Sequence, residues 1–265
     1  MQITESIRER KSVRSYTGEP LRRELAEQIR KYIADLPQQF GGKARIELVS
    51  RHGGLEPVKL GTYGVVSGAI DYLVLIHDDA PLAGVNVGYM FEQTLLFCTG
   101  LGLGTCWIGG TFKAEDFASQ VKIADSETLR IISPVGSPAE KMKLLDRIMK
   151  AGAGSAKRKP FAELFFADEI GNPLSQDNRY AQPLEMVRLA PSARNIQPWR
   201  VIVTGNSVHF YYIEKSRFND IDMGIALCHF GETCREAGIS GKFATVEEPA
   251  RPAPDGMKYC MSWIG

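Results

Sequence analysis

Residues 190–199 read A-P-S-A-R-N-I-Q-P-W, and the meaning of these ten positions decides what the chain is. Pro191 and Pro198 fix the backbone at either end and remove two amide donors. Between them Ser192, Asn195 and Gln197 supply short, orientable hydrogen-bonding groups, and Trp199 adds a large flat anchor. The apolar run Val201, Ile202, Val203 follows at once, so the stretch feeds a buried strand. Two readings fit. The residues form a loop that presents polar groups to a ligand, or a proline-bounded turn whose polar groups cap their own backbone. Trp199 reads as packing behind the loop rather than touching a substrate.

Composition narrows the classes. The chain has 265 residues, of which 44% are hydrophobic and 24% charged, ordinary for a soluble enzyme with one large core or two smaller ones. A net charge of +1 makes no electrostatic case for nucleic acid or an anionic membrane. No run approaches the roughly eighteen apolar residues of a membrane span. The first residues are charged throughout and carry no apolar leader core. Cys98, Cys106, Cys228, Cys234 and Cys260 have no metal-ligand spacing. They read as free thiols in a reducing compartment, from which a cytoplasmic location and no metal site are expected. No catalytic triad, HExxH or paired-carboxylate pattern is present, so no catalytic side chain is assigned.

Ile3 and Ile7, four apart among charges, predict a short amphipathic helix within residues 3–14. It runs into R-K-S-V-R at residues 10–14. If that segment is extended, Arg10, Ser12 and Arg14 point one way, a donor set suited to a phosphate and its attached sugar alcohol. A solvated basic face is the alternative. Leu21, Leu25, Ile29 and Ile33 predict a second helix over residues 20–36, and residues 46–50, 72–77 and 130–135 predict strands. Lys59 and Tyr63 lie in a glycine-rich passage and are candidates to flank a ligand. Residues 87–100 form an apolar helix closed by a G-L-G turn. An apolar strand over residues 105–110 then ends in Gly109 and Gly110, whose amides can approach a flat ligand edge, or which simply turn. Residues 157–161, K-R-K-P-F, are a basic segment whose composition alone reads as a solvated linker between halves.

The chain also repeats itself. Gly88 and Gly224, Cys98 and Cys234, and Gly102 and Gly238 are each separated by 136 residues. Residues 72–75 and 208–211 are strand-like at the same separation. This is a two-copy internal duplication, not a solenoid.

Residues 190–199 resemble the A-P-S-x-x-N-x-Q-P-W signature of the FMN-dependent nitroreductase family, and residues 10–16, R-K-S-V-R-S-Y, resemble its opening R-R-S-x-R followed by an aromatic. The resemblance implies an α+β nitroreductase-like fold with antiparallel-rich sheets. Family members are intertwined homodimers that hold FMN with R-R-S-x-R and the glycine strand of one subunit and P-S-x-x-N of the other. Here residues 36–40, L-P-Q-Q-F, stand where the first proline-serine loop belongs, and residues 176–180, Q-D-N-R-Y, replace the second R-x-S-x-R. The two halves, 1–165 and 166–265, are therefore expected to be complementary copies, an intrachain pseudo-dimer with one intact flavin site. A monomer would suffice.

The resemblance implies cofactor binding by Arg10, Lys11, Ser12, Arg14, Gly109, Gly110, Arg158, Pro191, Ser192 and Asn195. NADH or NADPH is expected as co-substrate, with a nitroaromatic or quinone as electron acceptor. Dehydrogenation or dehalogenation on the same fold, or flavin binding without turnover, are the alternatives.

Overall fold

The computed structural model describes residues 1–52, 58, 60–140, 157–246 and 253–265; Lys59 lies outside them. The chain divides into two compact units. One comprises Glu9–Gly152 with Met1, the other Gln2–Arg8 with Ala153–Gly265. No described helix is long and apolar enough to cross a membrane.

In the first unit, β1 (Ala44–Ser50), β2 (Asp71–Asp78), β3 (Gly104–Thr105) and β4 (Glu127–Gly136) form an antiparallel sheet in the order β1-β2-β4-β3. The run Tyr72 to Ile76 has no polar residue to turn toward water, and β2 is accordingly buried on both faces in the sheet centre. Helix α2 (Arg23–Ala34) lies over α3 (Ala83–Gly100), with Tyr32 stacked on Phe97 at 4.0 Å between ring centroids. The short α4 (Ala114–Ala118) contributes the fully buried Phe117 to a core with Tyr72, Val74, Ile76 and Ile132. The predicted second helix starts later than its periodicity suggests. The Leu21 amide is instead captured by the buried Asp71 carboxylate at 2.6 Å.

In the second unit, β5 (Phe165–Ala167), β6 (Trp199–Thr204), β7 (Ser207–Ile213), β8 (Lys242–Ala244) and β9 (Met257–Ile264) are ordered β5-β6-β7-β9-β8, and β5 alone pairs in parallel. The helices are α1 (Ile3–Glu9), α5 (Ala181–Leu189) and α6 (Asn219–Glu236). Helix α1 stops at residue 9, short of the basic segment, and belongs to this unit. The Glu236 carboxylate accepts the Ile3 and Thr4 amides, placing negative charge on the orphan donors of the α1 N-terminus.

The units share one topology. The strand order β1-β2-β4-β3 matches β6-β7-β9-β8, and α3 and α6 are both 18 residues long. Their starts, 83 and 219, are 136 apart, as are those of β2 and β7, 71 and 207. Their C-termini close identically. The Leu103 amide reaches Cys98 O and the Gly102 amide Thr99 O, while Ile239 reaches Cys234 O and Gly238 reaches Arg235 O. Gly102 and Gly238 stand at φ +76° and +68°, the left-handed position of this cap that a side chain would strain.

The expected strand over residues 105–110 is broken. After β3, the Cys106 amide donates to Ser133 Oγ at 3.0 Å instead of to a ladder carbonyl, and pairing resumes at Ile108 opposite Ile132. The neighbouring Pro134 has no amide to donate, so the ladder cannot run through this point. All five cysteines are free and buried.

Candidate functional site

In the first unit, residues 10–16 form an extended strap. Ser12 bridges Thr105 in parallel, the Val13 amide donates to Thr105 O at 2.8 Å, and Ser67 N donates to Arg14 O at 2.8 Å. The Tyr16 hydroxyl closes the strap on Val13 O at 2.7 Å. Glycine permits the approach: a Cβ at Gly104 would meet the Val13 side chain at 2.8 Å. Lys11 is exposed, Ser12 and Arg14 are half-buried, and the Arg10 side chain is only 6% exposed.

Arg10 is buried because it has a partner that periodicity does not reveal. Its Nε lies 3.6 Å from Oε1 of Glu92, a fully buried residue of α3. The other Glu92 oxygen accepts the Trp107 indole N–H at 2.7 Å. One carboxylate thus ties the start of the basic strap to the strand piece that delivers Gly109 and Gly110. Neither charge of such a pair could be buried alone. Gly109 is half-buried and Gly110 exposed, in a bend directly after the paired Ile108. An open cavity of about 420 Å³ is lined by Arg10, Lys11, Val13, Gly102, Gly104 and Pro138, among others.

In the second unit, the loop at residues 190–199 is cross-braced. The Gln197 amide donates to Ser192 Oγ at 2.9 Å, and the Ala193 amide donates to Asp222 Oδ1 at 2.9 Å. Arg158 donates to Asn195 Oδ1 and to Leu189 O, both at 3.0 Å, while Asn195 Nδ2 donates to Lys157 O at 2.7 Å. The Lys159 amide donates to the side-chain oxygen of Gln197 at 2.8 Å. These bonds hold three non-glycine residues at positive φ: Arg194 at 52°, Asn195 at 55° and Gln197 at 52°. Such backbone persists only where its surroundings over-determine it. Pro191 and Ser192 are half-buried, Arg194 is exposed, and Trp199 is fully buried.

The electrostatics of this loop are uneven. Burial pushes the Asp222 carboxyl up to about 7; the Ala193 bond opposes the shift and nearby Asp220 adds to it. Burial, then the neighbouring charges of Arg200 and Lys215, lower the Lys159 ammonium. Arg200 and Lys215 thus act on Lys159 as like charges, with the Glu163 carboxylate opposing the lowering of both Lys159 and Arg200.

The sequence expectations meet this geometry unevenly. The strap, the glycine pair and the braced loop lie where their motifs stand, and Arg158 and Asn195 are brought together. Tyr63 is 66% exposed at φ 47°, its ring 5.9 Å from the Lys113 ammonium. Neither Glu92 nor Asp222 lies in a motif of the sequence. A lone acid inside the apolar helix at residues 87–100 was the available signal for Glu92, and the 136-residue relation to Asn86 for Asp222.

FMN brings an anionic phosphate, a polyol and a flat ring. The strap supplies three cations and a serine within five residues, and Arg10 Nη1 has no partner among the described residues. That donor set fits an anion and its attached alcohols. In the second unit, Arg158 gives Nη1 to Asn195 Oδ1 and Nη2 to Leu189 O of the loop.

Architecture and site define an α+β protein of nitroreductase-like fold. The chain matches a protein-family model described as "Putative TM nitroreductase" over residues 2–233, and it belongs to that nitroreductase family. It is similar over 100% of its length to 94% of a Thermotoga maritima structure described as a "putative nitroreductase", at 21% identity and a TM-score of 0.63, a likeness of fold. A nitroreductase family protein of Clostridium novyi shares 18% identity over 67% of this chain and 99% of its own, with a TM-score of 0.42. A "putative nitroreductase in complex with FMN" from Desulfovibrio desulfuricans shares 19% over 55% and 94%, with a TM-score of 0.40. No curated protein matches the chain in sequence.

Proposed function

We propose that this protein is an FMN-dependent oxidoreductase that takes reducing equivalents from NADH or NADPH and passes them to a small acceptor of the nitroaromatic or quinone type. The observation that carries the reading is the buried Glu92, which joins Arg10 at the start of the strap to Trp107, two residues before the glycine bend. FMN, when bound, supplies the hydride chemistry, and the protein supplies position and electrostatics. Arg10, Lys11, Ser12 and Arg14 hold the phosphate and polyol, and the Gly109–Gly110 bend meets the ring edge without side-chain obstruction. Pro191, Ser192 and Asn195, in a loop braced by Arg158, are the cofactor-binding residues proposed for the second unit. No protein nucleophile is required.

The shared topology and the identical helix caps support reading the two units as copies of one ancestral half, each keeping what the other has lost. One chain then binds one FMN. Five free, buried cysteines accord with a reducing, cytoplasmic setting.

The test is the absorption spectrum of the purified, desalted protein, with released flavin quantified per chain and NADH compared with NADPH in an anaerobic bleaching assay. About one FMN per chain, bleached by either nucleotide, is expected. A chain that takes up no flavin even after soaking with FMN sinks the reading, and two per chain would overturn the complementary-copy assignment.

A further inference from the structure

The fourth residue of α3 is Asn86 and the fourth of α6 is Asp222, 136 positions on. Both are buried, at 0% and 2% exposure. Each uses Oδ1 to accept a main-chain amide from the loop that leads into the first strand of its own antiparallel set: Phe40 N at 3.1 Å for Asn86, Ala193 N at 2.9 Å for Asp222. The anchor is the same device in both units, but its chemistry differs. Asn86 is satisfied at both ends, its amide nitrogen donating to Gln38 Oε1 at 2.6 Å. Asp222 is not, since its Oδ2 has no partner among the described residues.

The loops held by these anchors differ as well. The one beside Asn86 reads L-P-Q-Q-F and shows no positive φ outside glycine, whereas the one beside Asp222 holds Arg194, Asn195 and Gln197 in left-handed conformations. A strained loop needs a tether, and the buried Oδ1 of Asp222 supplies one by accepting the Ala193 amide.

We infer that Asp222 is the positioning residue of the loop at residues 192–197, setting through the Ala193 amide the left-handed geometry on which flavin affinity depends. This rests on the flavin reading above. Asp222 touches no reacting atom. It acts through Ala193, and the rest of the loop follows because Ser192, Asn195 and Gln197 are bonded to one another and to residues 157–159.

Five variants of the full chain test this: Asp222→Ala, Asp222→Asn, Ala193→Pro, the double variant Asp222→Ala with Ala193→Pro and, as control, Asn86→Ala. Ala193→Pro removes the same hydrogen bond from the donor's side, and Ser192 before it is already extended (φ −147°, ψ 160°), as a residue preceding proline must be. The readouts are FMN dissociation constants from flavin fluorescence, melting temperatures, and amide exchange across residues 192–197 without ligand. Asp222→Ala and Ala193→Pro are expected to weaken FMN binding at least tenfold and to speed loop exchange, with no further loss in the double variant. Asp222→Asn keeps the acceptor and stays within about threefold of the parent. Asn86→Ala lowers the melting temperature but leaves the FMN constant unchanged. Unaltered affinity in both Asp222→Ala and Ala193→Pro overturns the inference, as does an Asn variant as weak as the Ala one. If the parent takes up no FMN, the functional reading fails, and loop exchange alone decides the anchor.

Discussion

Arg158 Nη1 donates to Asn195 Oδ1 at 3.0 Å, so two residues expected from their motifs to bind the cofactor are bonded to each other. A guanidinium engaged in this way, and by Leu189 O as well, acts first as a strut of the loop. Arg158→Ala is therefore expected to weaken riboflavin and FMN by the same factor, about tenfold for the loss of a charge-assisted bond. Titrating both flavins against the variant checks this. A loss confined to FMN would instead place Arg158 on the phosphate.

Glu92 and Arg10 form a pair in which neither side chain is more than 6% exposed. Removing one partner strands the other, so Arg10→Met and Glu92→Leu should each cost about 3 kcal/mol, while the double variant recovers most of that loss. Urea unfolding of the two singles and the double closes the cycle. Simple additivity would mean that the two charges do not stabilise one another.

Asp222 links stability to pH. Its carboxyl titrates near 7 in the folded protein against an ordinary 3.8, so between these values the folded state holds a proton that the unfolded chain has released. Stability must fall as pH rises through this window, by roughly 4 kcal/mol over its full width. Asp222→Asn removes the effect. The variant should match the parent near pH 4 and be the more stable of the two by pH 8, as read from denaturant midpoints. A gap that does not widen with pH would contradict the assignment.

Gly104 lies under the strap, where an added methyl would stand 2.8 Å from Val13 Cβ and Cγ1. Gly104→Ala is expected to cost about 1–3 kcal/mol and to lift the strap from β3. The measurement is thermal melting together with FMN affinity. Wild-type values for both would show that the strap yields freely.

The reading from sequence worked best where a signal is confined to a few residues. The apolar run at 72–76 became the central strand, the G-L-G turn became a helix cap, and the alternation at 10–14 became an extended strap. It failed where a distant side chain intervened. The strand expected over residues 105–110 is interrupted because Ser133 supplies an acceptor in place of a carbonyl. The helix expected from Pro20 begins later, where Asp71 takes the Leu21 amide.

The sequence alone determined the family, the α+β class and the positions of the two motif-bearing segments, because these depend on local residue types, their spacing and a repeat that can be counted. Only the tertiary structure decided that Arg10 pairs with Glu92, that Arg158 braces Asn195 and that Asp222 anchors the loop through Ala193. It also decided that α1 joins the C-terminal unit through Glu236, 233 residues from Ile3. Such choices are made by where the chain path brings a buried donor and a buried acceptor together. No local pattern carries that, since desolvation makes pairing obligatory without specifying the partner.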